Sequence, residues 1–216
     1  MPSHSWPWLS TSSPHLIAIG PNDPPSVSVA DVTFCPPTGS HEVAYVGHFG
    51  YRPNVAAATE LVEGVLPRLR QHVPDATVVL IGRDPPRALL RLQGPTVDVT
   101  GEVPDALTRL RRAGVAVIPL RAGSGTRLKV LEAMAAGVPV VSTEFGVSGL
   151  AVRPGSEVVL ASSTEELAAA TASVLTDPAR ADALARAARQ LIVERYDWSV
   201  LARPLVSLHA ELAVAP

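Results

Sequence analysis

Val115–Thr143 reads VAVIPLRAGSGTRLKVLEAMAAGVPVVST, and the fold is decided here. Val115 to Leu120 is a short, continuous apolar run rich in β-branched residues, the pattern of a strand covered on both faces. Arg121-Ala122-Gly123-Ser124-Gly125 breaks it with two glycines. Thr126 to Ala136 then consists of good helix formers, and Gly137 stops them. Val138-Pro139-Val140-Val141-Ser142 is the next strand. Strand, glycine turn, helix and strand in succession make a βαβ unit, whose strands must be parallel.

A strand that delivers glycines to a helix start also builds a place for an anion. Backbone N–H groups are free there and the helix dipole is positive. Gly123, Ser124, Gly125, Thr126 and Leu128 supply the backbone, and Arg127 and Lys129 add charge, so the segment reads as a diphosphate cradle. Glu132 lies six residues past Thr126, about 9 Å along a helix. Its side chain leans back toward the N-terminus, within reach of a ribose diol attached to that diphosphate. Spacing leaves a second reading open, in which the glycines only turn the chain and Glu132 is a solvated helix residue.

Working outward, the alternation continues. Val43 to Val46 is a strand ending in Gly47-His48-Phe49-Gly50, and Pro53 suits a first helical turn. Val55, Ala58, Leu61, Val62, Val65, Leu66 and Leu69 follow at helical spacing, with a kink expected at Pro67. Strands at 77–82 and 96–99 and helices at 86–92 and 104–112 precede the opening stretch. After it, Thr164 is expected to cap a helix, Asp177-Pro178 to open another reaching about Arg195, and Trp198 to Leu212 to form a last one. The expectation is a doubly wound α/β domain with a mainly parallel, Rossmann-like sheet. Its ligand belongs at the strands' carboxyl ends, in loops 47–54, 82–86 and 121–129. Residues 1–40 are rich in Pro, Ser and Thr and read as an arm or linker. Residues 41–196 form the domain proper and 197–216 a C-terminal helix.

Composition narrows the function. Eighteen basic residues against 20 acidic ones give a net charge of −2, which excludes a strongly basic nucleic-acid binder. The single cysteine, Cys35, excludes an internal disulfide framework and a Cys-based zinc cluster, and predicts a cytoplasmic setting. No signal peptide or transmembrane stretch is visible. The P-loop pattern is absent. A dinucleotide fingerprint is started by Gly123 and Gly125, with Glu144 placed as a ribose-binding acid, but Leu128 fills its third small position. His48 and Arg52 are loop residues that suit either solvent or a phosphate. Arg109, Arg111 and Arg112 read as the wet side of a helix.

GSGTRLKVLEAMAAGVPVVST, with Gly146 and Gly149 beyond it, resembles the donor-binding segment of retaining GT-B glycosyltransferases of the family-4 type. Val46 to Asn54 resembles the opening of the same domain in one branch, and the likeness covers about residues 42–212. The resemblance implies the C-terminal half of a GT-B fold holding a nucleotide-diphosphate sugar. By it, Glu132 binds the nucleotide ribose, and the amides of Gly125 to Leu128 face the phosphates. Gly47, His48 and Gly50 line the same site, and Gly82, Arg83, Gly101, Glu102 and Val103 border the base. Transfer with retention and without a bound metal or other cofactor is implied, the leaving diphosphate being stabilised by helix amides, Arg127 and Lys129. The family commonly has a glutamate eight residues before the ribose-binding one, where it meets the sugar; here that position is Ser124. Members with a GGGTRLK-like loop share the change.

The family's acceptor domain, which carries its catalytic histidine, precedes this segment, and residues 1–40 are too short to form it. The expectation is therefore a donor half that is incomplete as a catalyst, with a partner chain or self-association through Leu201, Leu205, Leu208 and Leu212. The competing readings are a non-catalytic nucleotide-sugar or phosphate-binding module and, more weakly, an epimerase-like or NAD-binding domain.

Overall fold

The computed structural model describes residues 32–202. Six strands alternate with helices: β1 (Glu42–Val46), β2 (Thr77–Ile81), β3 (Val97–Gly101), β4 (Val115–Ile118), β5 (Val140–Ser142) and β6 (Val159–Leu160). They form one sheet in the order β3-β2-β1-β4-β5-β6, with every pairing parallel. The expected doubly wound, Rossmann-like architecture is thus present. Its central strands are covered on both faces, which is why β4 is buried throughout and reads as an unbroken apolar run.

The helices are α1 (Arg52–Thr59), α2 (Leu66–Leu69), α3 (Arg87–Leu90), α4 (Ala106–Leu110), α5 (Leu128–Ala136), α6 (Thr164–Leu175), α7 (Pro178–Leu191) and α8 (Trp198–Leu201). The rod formed by α1 and α2 packs with α6 on one face of the sheet, while α4, α5 and α7 pack together on the other. Val43, Val79, Leu80, Val115, Val117, Leu131 and Met134 lie at the centre with essentially no exposure, each contributing about 1.5–3 kcal/mol of burial.

Several boundaries depart from the sequence expectation. The irregularity in the first helix is a π turn at Glu60–Val65, one turn before Pro67, where the Leu66 amide reaches back to Leu61 O. Pro67 has no N–H and its ring crowds the carbonyl of Glu63, so the turn below it widens. The cap of α6 is Ser163, not Thr164: its hydroxyl accepts from the Glu166 amide and Glu166 returns the bond, completing a capping box. Helix α4 begins at Ala106 rather than 104, capped by Asp105, whose carboxylate accepts from the Thr108 amide. Helix α5 starts at Leu128 rather than Thr126 and ends, as expected, on Gly137 at φ 86°.

The arm expected over residues 1–40 is docked where it is described. Val32 is 1% exposed, the Cys35 amide donates to Ala136 O at 3.0 Å, and the Arg186 guanidinium lies 5.7 Å from the Phe34 ring centre. Residues 1–31 and 203–216 are outside the described residues, and with them Leu205, Leu208 and Leu212 of the expected last helix; Leu201 is half-buried. No helix among the described residues is long and apolar enough to cross a membrane.

Candidate functional site

Strand order reverses between β1 and β4, so their carboxyl ends diverge and leave a crevice, the place where such sheets bind ligands. Loop 47–51 enters it from β1 and loop 119–127 from β4. Gly123 and Gly125 hold φ of 123° and 95°, which glycine adopts at little cost. A Cβ on Gly123 would also stand 3.0 Å from the Tyr51 hydroxyl and 3.2 Å from Pro53 Cβ.

The helix start expected to offer free amides lies later in the chain than the sequence implies. Arg127 is the N-cap of α5 and its side chain caps nothing. The amides of Gly125, Thr126, Arg127, Leu128 and Lys129 meet no acceptor among the described residues. The Ser124 amide is taken, donating to the Tyr51 hydroxyl at 2.9 Å. Because α5 begins at Leu128, Glu132 is one turn into the helix, about 6 Å from its first residue, instead of the two turns expected.

Arg127 and Lys129 have separate duties. Arg127 is 8% exposed and turns under the loop, donating to Phe145 O (3.3 Å), Gly125 O (3.0 Å) and Ser148 Oγ (2.9 Å). It braces the glycine loop and adds its charge from beneath. Lys129 points into the crevice, its Nζ donating to the Tyr45 hydroxyl at 2.9 Å and to Asn54 Oδ1 at 2.7 Å. The Tyr45 hydroxyl donates to Asn54 Oδ1 at 2.9 Å, and Asn54 Nδ2 donates to His48 O at 2.9 Å. Burial, reinforced by the Arg127 charge, pulls the Lys129 ammonium down to about 7, and burial pushes the Tyr45 phenol up.

Glu132 lies one turn along α5 from Lys129, partly buried. Its carboxylate makes no hydrogen bond to a described residue, and burial pushes it up to about 7 against the pull of Lys129. Perturbed groups of this kind concentrate at functional sites.

The β2 loop closes the other side of the β1 loop. The Gly47 amide donates to Ile81 O at 2.9 Å and the Phe49 amide to Arg83 O at 3.0 Å. A Cβ on Gly82 would fall 1.8 Å from Gly47 O, so the loops meet only because residue 82 is glycine. His48 Nε2 pairs with Asp84 Oδ2 at 2.8 Å, and the His48 ring covers Gly50. Asp84 holds φ at 57°, a strained conformation of the kind found at ligand sites. Arg83 is largely exposed. The structure therefore joins Gly47, His48, Gly50, Gly82 and Arg83 to the glycine loop in one cluster. Val103 lies past β3, two strands from the crevice, where it packs on the core. Arg109 does not face solvent as expected: its guanidinium forms a two-pronged ion pair with Glu42 at 2.6 and 2.7 Å. Among the described residues no three His, Cys, Asp or Glu side chains gather as a metal site.

The description "Glycosyl transferases group 1" matches residues 40–177. The chain belongs to this family. It is 36% identical over 177 residues to a glycogen synthase of Mycobacterium tuberculosis, covering 77% of this chain and 42% of that one. Against a phosphatidyl-myo-inositol mannosyltransferase of Mycolicibacterium smegmatis the identity is 28% over 205 residues, covering 89% and 52%. The chain thus spans about half the length of these relatives or less. A TarM structure from S. aureus, solved with fondaparinux, α-GlcNAc-glycerol and UDP, matches with a TM-score of 0.70 at 15% identity, over 85% of this chain and 38% of that one. At that identity the likeness concerns the fold, here half of a GT-B arrangement.

In this group 1 glycosyl transferase domain, sequence reasoning assigned no role to Tyr45, Tyr51, Asn54 or Asp84. The one local signal was Asn54, a polar residue on the first turn of an otherwise apolar helix face. Beside the local Tyr45–Asn54–His48 bonds, their partners Lys129, Ser124 and (for Asp84) His48 lie 36 to 84 residues away.

Proposed function

We propose that this chain is the donor-binding half of a glycosyltransferase that takes a nucleotide-diphosphate sugar. The observation that carries the reading is the pairing of five unfilled amides at the start of α5 with a partly buried Glu132, one turn further on, that has no hydrogen bond to a described residue. The amides accept the diphosphate and Glu132 the ribose hydroxyls. Lys129, at the crevice wall, supplies a cation whose charged form the diphosphate favours, and Arg127 adds charge from below. These groups stabilise the leaving diphosphate as the glycosidic bond breaks. Retention at the sugar carbon and independence of a metal come with the family resemblance and belong to this proposal. TarM's complex with UDP supports a nucleoside diphosphate as the ligand class.

Calorimetry of the full chain with UDP, GDP and ADP tests the reading. Binding of one of them is expected, with little sugar transfer unless an acceptor domain is supplied. Absence of binding by all three overturns it. Vigorous transfer by the chain alone overturns the non-catalytic alternative.

A further inference from the structure

Tyr51 reaches across the crevice from the β1 side, and its hydroxyl oxygen accepts the Ser124 amide at 2.9 Å. The other partner is Ser124 Oγ at 3.5 Å, a long contact in which either oxygen can be the donor. With Ser124 Oγ donating, the phenolic proton is unspent. The hydroxyl stands at the head of the amides of Gly125 to Lys129, which lack acceptors among the described residues. Tyr51 is 39% exposed, unusual for a large aromatic residue. The glycine loop is shaped to lie beneath it, since a Cβ at residue 123 would stand 3.0 Å from its oxygen.

We propose that the Tyr51 hydroxyl is a ligand of the bound diphosphate: held through its oxygen by the Ser124 amide, it donates its own proton to a phosphate oxygen. The assignment rests on the donor-site reading above and adds a residue from the opposite loop. A phenol that accepts one hydrogen bond while donating another is polarised by the first, which strengthens the second. The Ser124 bonds and the Arg127 charge also hold the Tyr51 phenol below its ordinary range in the free protein, which makes it a better donor to an anion. The competing arrangement is a plug, in which the phenol occupies the position of a phosphate oxygen and must leave before ligand enters.

The test uses the full chain with inorganic pyrophosphate and with UDP as probes, comparing wild type with Tyr51→Phe, which keeps the ring. Both probes are expected to bind about threefold to tenfold more weakly to the variant, with an unchanged melting temperature. The ultraviolet titration of tyrosinate supplies a readout that packing alone does not move. Pyrophosphate should raise the midpoint of the earliest-ionising phenol, and that phenol should be missing in Tyr51→Phe. Equal affinity, or tighter binding as a plug requires, overturns this assignment while leaving the donor site standing. Failure of the wild type to bind either probe overturns both.

Discussion

Glu157 is fully buried and Glu132 partly so, and the protein completes one and leaves the other open. The Glu157 side chain is 1% exposed; its Oε2 accepts the Arg153 amide at 2.6 Å and its Oε1 accepts Arg153 Nε at 2.7 Å. Its lone pairs are spent on the loop before β6. Glu132, at the mouth of the switch crevice, has no hydrogen bond to a described residue and sits near 7. Desolvating a carboxylate without partners is costly, so Glu157 serves the fold, and the unspent carboxylate of Glu132 is the one the proposed donor site uses.

The largest effect should come from breaking the satisfied acid. Glu157→Ala strands the Arg153 amide and its loop, and denaturant unfolding should show a loss of about 2–4 kcal/mol, with nucleoside diphosphate affinity intact at temperatures where the variant is folded. Unfolding that matches wild type would remove the contrast. Glu132→Ala should do the opposite: affinity for UDP, or whichever diphosphate binds, falls by about 1–3 kcal/mol in calorimetry, while stability is unchanged or higher.

The pH dependence sharpens the comparison. Glu132 is raised in the fold, so the native state holds more protons than the unfolded one between about 4.5 and 7. Its favourable contribution is full below that window and is lost as pH rises through it. Glu132→Gln should therefore gain on wild type across pH 4.5 to 7 by about 1–3 kcal/mol and level off above; a constant gap in unfolding series would refute the shift. Lys129 runs the other way, its native pKa near 7. Diphosphate binding at slightly alkaline pH should draw a proton onto it, read as a buffer-dependent binding enthalpy. The smallest effect is expected at the exposed His48–Asp84 pair, where His48→Ala should shift stability by under about 1 kcal/mol.

The sheet was legible because buried parallel strands write themselves as continuous apolar runs, and the loops because glycine marks their turns. The spacing of Glu132 to the glycine loop singled it out, and its unspent carboxylate beside Lys129 shows only with the fold. The start of α5 was not legible, for a physical reason. A helix signals its beginning with a capping side chain, and Arg127 caps nothing, leaving the amides for something else. Thr164 and Ser163 compete as neighbouring hydroxyls, and only the partnership with Glu166 decides between them. Arg109 was misread because Glu42, its partner, is 67 residues away. Tyr51 escaped notice likewise, since Ser124 lies 73 residues on.

The contacts of Lys129 have a mechanical meaning. Residues 45, 54 and 129 belong to elements on opposite sides of the gap between β1 and β4, and they share one hydrogen-bonded knot. A tie-beam across a gap makes its two banks yield together. Segments 47–54 and 125–132 should accordingly exchange their protected amide hydrogens with deuterium in a single opening event, so that loosening either bank exposes the other.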